Sequence, residues 1–286
     1  METLKFVGRS SALNRAEGST SAYVKKDNKV LLIDCGESVC DKVIDMGLID
    51  KNTKEVNILI THGHGDHTGS LSTLIFECYY TFKIIPNVLY PESEKIRDFL
   101  MFQGTIKDIH YRLIDSRNVN LDSMGIKIQS KEVEHCHAYR NIQSGIDIYE
   151  KPPKEKEHLY ENMFRSYAYY LELEGKKIYY SGDSGEFNLD VDSLDEIYHD
   201  CSSYDIEGFP HIGLNTLVNK VKLEDRKKVY LMHFDSLELI SKAKALGFNV
   251  AKLSSEDDIV IHFPRKTVKL KSTKIKSAKR IENRLD

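Results

Sequence analysis

Residues 58–70 read ILITHGHGDHTGS, and between positions 62 and 67 three imidazoles and a carboxylate crowd together. His62, His64, Asp66 and His67 stand in H-x-H-x-D-H order, with only Gly63 and Gly65 between the first three. Imidazole nitrogen and carboxylate oxygen are donors that suit zinc and its neighbours. If the preceding apolar run is a strand, His62 and His64 emerge on one side, because strand side chains alternate with a period of two. The glycines let the backbone turn tightly and leave room for an ion. Asp66 and His67 then point towards a second position. One tetrahedral ion cannot readily use four donors so closely spaced, so the pattern predicts a pair of cations.

A pair needs more donors. His135 and His137, in VEHCHA, end a strand-like run and share a face, and either could serve. Asp183, in YYSGDSG, and His233, in VYLMHF, also follow apolar runs where a strand would meet a loop. His110, His158, His199 and His262 lack such a setting and are expected to be packed or at the surface. Two ions about 3.5–4 Å apart would share a water, deprotonate it near neutral pH, and stabilise charge growing on the oxygens of a bound electrophile.

The elements that must position these groups are mostly strands. TLKFVG, SAYVKK, KVLLIDCG, VNILITH, KIIPNVLYP, IKIQSKEVEH, SYAYYLELEG, KKIYYSGDS, KVYLMHF and DDIVIHFP are short and apolar, several of them alternating with polar residues. SYAYYLELEG and KKIYYSGDS read as a hairpin turning at Glu174-Gly175-Lys176. Helical stretches intervene at SLSTLIFECYY, ESEKIRDFLMFQ and LELISKAKALG, the last stopped by Gly247. Two sheets with helices outside are expected, and no linker divides the chain. Residues 138–166, with Pro152-Pro153, clustered charge and Tyr139, Tyr149, Tyr160 and Phe164, read as an insert forming a lid or an interface.

Composition narrows the class. The chain has 286 residues, 41% of them hydrophobic and 30% charged. No apolar run approaches the roughly 18 residues that cross a membrane, and METLKFVGRSSALN has no apolar core of the kind a secretion signal carries. Five scattered cysteines, odd in number and never paired as CxxC, suit a reducing compartment, so a cytoplasmic location is expected. The net charge of −3 conceals a basic tail, residues 265–286, with nine Lys/Arg against two acids. The remaining 32 basic and 42 acidic residues leave a body near −10, a poor surface for a long polyanion.

Together with EVEHCH, IYYSGDS, IYHDCSSYDIEGFPHIGLNTL and YLMHF in the same order, THGHGDHTGS resembles the metal-binding pattern of the metallo-β-lactamase fold superfamily. The opening LKFVGRSSALNRAEGSTSAYVKKDNKVLLIDCGE is similar to the first strands of its tRNase Z-like branch, with Asp34 beneath the site. The resemblance implies an αββα sandwich of two mostly antiparallel or mixed sheets over residues 1–264, followed by the 265–286 tail. It places His62, His64 and His135 on one metal, choosing His135 over His137 as the single strand-end histidine. It places Asp66, His67 and His233 on the other, with Asp183 bridging. The implied cofactors are two Zn2+, with Mn2+ or Fe as alternatives, and Asp66 would also orient the attacking water.

In that branch a later acidic residue and histidine assist phosphodiester cleavage; here they would be Asp200 and His211. His211 could protonate a departing alkoxide while Asp200 holds its ring. HIGLNTL departs from the His-Ser-Thr of tRNA 3′-processing enzymes, and no Gly/Pro-rich tRNA-gripping arm is visible. A compact, arm-less member resembles the phage and bacterial anti-Pycsar phosphodiesterases, which hydrolyse cyclic mononucleotides and act as homodimers. The expected activity is hydrolysis of cCMP, cUMP, cAMP or cGMP by a dinuclear centre. The alternatives are an RNA or tRNA phosphodiesterase, another metallo-hydrolase such as a thioesterase or lactamase-like enzyme, or a metal-binding or partner-binding protein without turnover.

Overall fold

The computed structural model describes residues 3–135, 139–140, 149–150, 154 and 165–256. The His137 alternative, the DDIVIHFP strand, the basic tail and most of the 138–166 insert lie outside the described residues. The first sheet holds β1 (Lys5–Gly8), β2 (Ser21–Lys26), β3 (Lys29–Ile33), β4 (Glu55–Leu59), β5 (Asn87–Leu89) and β6 (Arg112–Ile114), neighbours in that order. Its first two pairings are antiparallel, and the three from β3 to β6 are parallel.

The second sheet is built from β7 (Asn118–Leu121), β8 (Ile126–Val133), β11 (Ser166–Leu173), β12 (Lys176–Tyr180), β13 (Glu196–Asp200), β14 (Val229–Met232) and β15 (Asn249–Val250). Its spatial order is β15-β14-β13-β12-β11-β8-β7; a separate small ribbon pairs β9 (Tyr139–Arg140) with β10 (Tyr149–Glu150). The strands from β12 to β15 run parallel, and those from β12 to β7 are antiparallel. Because β8 and β12 each oppose β11, they run the same way. The carboxyl ends of β8, β12, β13 and β14 therefore share one edge of the sheet.

Alternation explains the layers. In β13, Tyr198 faces the inner core and Ile197 the outer one; in β14, Met232 and Leu231 divide in the same way. Phe6 of β1 packs on Tyr198 and Tyr180 with ring centroids 5.5 and 6.4 Å away, joining the sheets. On the outer side of the second sheet, Leu214 and Leu217 of α5 (Leu214–Lys220) and Leu239 and Ala243 of α6 (Leu237–Ala245) complete a second core. The first sheet is covered by α1 (Val39–Asp45), α3 (Leu71–Phe76) and α4 (Ser93–Phe102), which bury Val39, Leu74 and Leu100. The order is helices, sheet, sheet, helices.

The β11–β12 hairpin turns at Glu174-Gly175, both with positive φ (53° and 80°), the two-residue geometry whose twist matches antiparallel strands. Gly247 (φ 88°) follows α6 as a left-handed stop. SLSTLIFECYY begins as α3 and continues as a wider π-turn over Glu77–Phe82.

Candidate metal centre

At the end of β4 the chain leaves the sheet at Thr61 and runs through His62 to His64, which remains extended (φ −66°, ψ 154°). A single helical turn, α2 (Gly65–Thr68), then swings Asp66 and His67 away from the first two histidines. The turn is tied back through Thr68 Oγ1, which donates to the carbonyls of His64 (3.0 Å) and Gly63 (3.2 Å). A side chain at Gly36 would collide with the Asp66 carbonyl, so glycine is what lets the segment after β3 close against this loop.

The second sheet supplies the rest from its aligned carboxyl ends: His135 beyond β8, Asp183 beyond β12, Asp200 closing β13 and His233 beyond β14. The two sheets touch where these ends converge. Tyr167 N donates to Thr61 O (3.0 Å), and Gly182, at φ +57°, brings its backbone against the Thr61 side chain. His233 (φ 58°) and Asp34 (φ 63°) are non-glycine residues held left-handed at strand ends rather than in hairpin turns. Such strain persists only where surroundings enforce it.

Two groups of donors share Asp183, namely His62, His64, His135 and Asp183, and Asp66, His67, Asp183 and His233, and a third, Asp183, Asp200, His211 and His233, overlaps them; donor atoms in each lie within 4.8 Å of one another. In the first, His64 Nδ1 lies 3.0 Å from His62 Nε2 and 3.2 Å from His135 Nε2. Asp183 Oδ2 is 3.7 Å from His62 Nε2 and 3.5 Å from His135 Nε2. In the second, Asp183 Oδ1 is 3.2 Å from His67 Nε2 and 3.3 Å from His233 Nε2. Asp66 Oδ2 stands 3.3 Å from His67 Nε2 and 3.1 Å from His233 Nε2. Each Asp183 oxygen thus faces a different group. All residues of the first two groups are buried except His64.

The groups can be tested as cation sites. An ion with ligands at about 2.0–2.1 Å in tetrahedral array requires donors about 3.4 Å apart, which the spacings bracket. His67 Nε2 and Asp183 Oδ1 are buried without a well-formed hydrogen bond to either, although they lie 3.2 Å apart. Charge points the same way, since burying carboxylates is costly without a positive partner. Burial pushes the His62 imidazole well below its usual range, helped by the charge of His67, and pushes His135 down to about 4. Against the opposing effect of burial, the carboxylates of Asp183, Asp66 and Asp34 hold His67 well above its usual range. A cation would satisfy the field that otherwise falls on that imidazole. The residues fit divalent ions.

Two further carboxylates each hold a histidine ring through its Nδ1. Fully buried Asp34 accepts from Thr61 N (2.8 Å) and Thr61 Oγ1 and lies 2.9 Å from His67 Nδ1, which turns His67 Nε2 towards Asp183. Asp200 Oδ2 lies 2.9 Å from His211 Nδ1 and accepts from Ser184 N (3.1 Å). The His211 ring stacks 4.9 Å from His233 and stands 4.8 Å from His135, so it sits over both groups. Burial opposes its charged form, but the bond from Asp200 and the charge of Asp183 raise its pKa. Every assigned site residue therefore lies in one constellation. His110 and His199 are buried. His199, read from sequence as unremarkable, packs against Asp200, with Nδ1 3.0 Å from the Asp200 carbonyl and 3.1 Å from its Oδ1. Its adjacency to Asp200 on a strand was the available clue.

Known structures share this architecture. The metallo-β-lactamase-fold protein YhfI from Bacillus subtilis matches with a TM-score of 0.60 at 15% identity, over 87% of this chain and 95% of that one. Human tRNase Z, short form, matches at 0.59 and 18% identity, over 87% and 96%. Both likenesses are of fold, and they show that the protein has the metallo-β-lactamase fold. An anti-Pycsar protein Apyc1 from Bacillus phage BSP38 is 28% identical over 249 residues, covering 82% of this chain and 90% of its own. The family model for anti-Pycsar protein Apyc1 matches residues 2–251, and the chain belongs to that family.

Proposed function

We propose that the protein is a dinuclear phosphodiesterase that opens cyclic mononucleotides, cCMP, cUMP, cAMP or cGMP, to mononucleotides. The observation that carries this reading is Asp183, whose two oxygens each face a complete set of donors beneath a carboxylate-held histidine. Family membership and the compact, arm-less sequence support a small nucleotide over tRNA.

In this reading His62, His64, His135 and Asp183 hold one ion, and Asp66, His67, Asp183 and His233 hold the other. Zn2+ is the first choice for such donors and Mn2+ or Fe the alternatives; once bound, the ions supply Lewis-acid charge and a water acidic enough to ionise near pH 7. Asp66 gives one oxygen to its site and uses the other to orient the attacking water. The attacking water gives up a proton to solvent as it adds to phosphorus, and the bond from phosphorus to one ribose oxygen breaks. His211, held through Nδ1 by Asp200, gives its Nε2 proton to that departing alkoxide. Nε2 makes no hydrogen bond among the described residues and is available for this. The His211 side chain is 21% exposed and that of Asp200 is not exposed at all, so substrate can reach the acid but not its holder.

Metal-replete protein incubated with the four cyclic nucleotides should convert at least one to a mononucleotide, read by chromatography. Four unchanged substrates would overturn the assignment, and salt-sensitive cleavage of pre-tRNA would replace it with the RNA reading. Elemental analysis should find two ions per chain, and sedimentation should find the homodimer that the family resemblance implies.

A further inference from the structure

We infer that Asp235 is a positioning residue for His211, clamping the loop that carries the proposed acid to the strand end that carries His233; this rests on the acid role proposed above. Asp235 follows His233 by two positions at the exit of β14. Its Oδ2 accepts from Ser202 Oγ (2.9 Å), Ser203 N (2.8 Å) and Ser203 Oγ (2.8 Å). Ser202 in turn closes the base of the 203–211 loop. Its N donates to Ile212 O (2.8 Å), and its carbonyl accepts from Leu214 N (3.0 Å). Ile212 N is tied to Ser184 O (3.1 Å), beside Asp183. The residue next to His211 is therefore fixed on both sides, and the second tether depends on Ser202 staying where Asp235 holds it.

Asp200 sets the rotation of the His211 ring through Nδ1, but one hydrogen bond cannot set where the ring's backbone stands. The backbone is set by Ile212 N on Ser184 O, by Pro210 O, 2.9 Å from His135 Nδ1, and by Asp235, whose three bonds reference the loop to the segment bearing His233, on which the His211 ring stacks at 4.9 Å. A proton donor must lie within hydrogen-bond reach of the leaving oxygen, and a 1 Å misplacement costs up to about 10²-fold. Losing the clamp should therefore impair proton donation while leaving metal donors in place.

The test compares leaving groups. A ribose alkoxide needs a proton as it departs, whereas the nitrophenolate of bis(4-nitrophenyl) phosphate does not. Asp235→Ala holoenzyme should lose about tenfold in kcat on a cyclic nucleotide. KM, metal content and activity on the nitrophenyl ester should stay unchanged. Asp235→Asn, which keeps an acceptor oxygen, should restore most of the loss. Ser203→Ala, a milder change should the alanine variant fold poorly, should show the same selectivity at about two- to threefold. Adding Asp235→Ala to His211→Ala should lower kcat no further. Metal loss, or an equal fall on both substrates, would show that Asp235 serves the His233 strand and overturn the inference. If His211→Ala discriminates between the substrates and Asp235→Ala does not, this inference alone fails. If His211→Ala itself does not discriminate, the acid role fails and takes the inference with it.

Discussion

Two histidines of this site are held in the same way and left in different surroundings. His67 and His211 each present Nδ1 to a buried aspartate 2.9 Å away, Asp34 in one case and Asp200 in the other. His67 is sealed, with three carboxylates around it, whereas the His211 side chain is 21% exposed. The shared device fixes ring orientation and favours the charged ring; the difference in exposure decides what the free nitrogen can meet. A sealed Nε2 facing carboxylates suits an ion that stays. An Nε2 open to the cleft suits a proton that leaves. The contrast teaches that an Asp–His pair does not by itself define a role, and that the partner available to the second nitrogen does.

The largest effect should come from breaking the sealed pair. His67→Ala removes a donor of the second group and leaves Asp66 and Asp183 short of a positive partner. Turnover should fall by at least about 10³-fold, and elemental analysis should show loss of bound metal. His211→Ala should lower turnover by about 10²-fold on cyclic nucleotides with metal content unchanged. Loss of metal in that variant would erase the contrast and make His211 a ligand. Asp34→Ala should weaken metal binding by about 10- to 100-fold, measured by competition with a chelating dye, because the orienting partner of His67 is gone. Unchanged affinity would show that packing alone holds His67.

Much of this arrangement was legible because the chemistry is local. His62, His64, Asp66 and His67 lie within six positions; strand alternation puts the first two on one side, and the helical turn at Gly65–Thr68 swings the second two away. The outlying donors were legible for another reason: Asp183 and His233 follow apolar runs, and parallel strands deliver such ends to one edge. The β11–β12 hairpin announced itself through Glu174-Gly175. The strand β13 did not, since EIYHD is polar at three of five positions yet wholly buried. Its Glu196 is satisfied by Thr3, Lys176 and Tyr198, partners up to 193 residues distant that no local pattern reveals. The edge strands β6 and β15, of three and two residues, are too short to carry a period. Asp235 carries no sequence signal, because its partners, Ser202 and Ser203, come from another strand's exit.

The smallest effect tests the open pair most finely. Asp200→Asn keeps the shape and an acceptor for His211 Nδ1 but removes the charge. In the folded protein that charge helps raise the His211 pKa above its ordinary value of about 6.5, against burial. In the proposed mechanism the protonated form acts, so activity should be lost as pH climbs through the raised value. Without the carboxylate the imidazole loses its proton earlier, and the basic limb of the kcat profile should move to lower pH. The variant should fall further behind the native protein as pH rises. The nitrophenyl ester, needing no proton, should show no such movement. A limb that moves equally on both substrates would assign the titration to the water or the metal donors, and the open pair would lose its separate role.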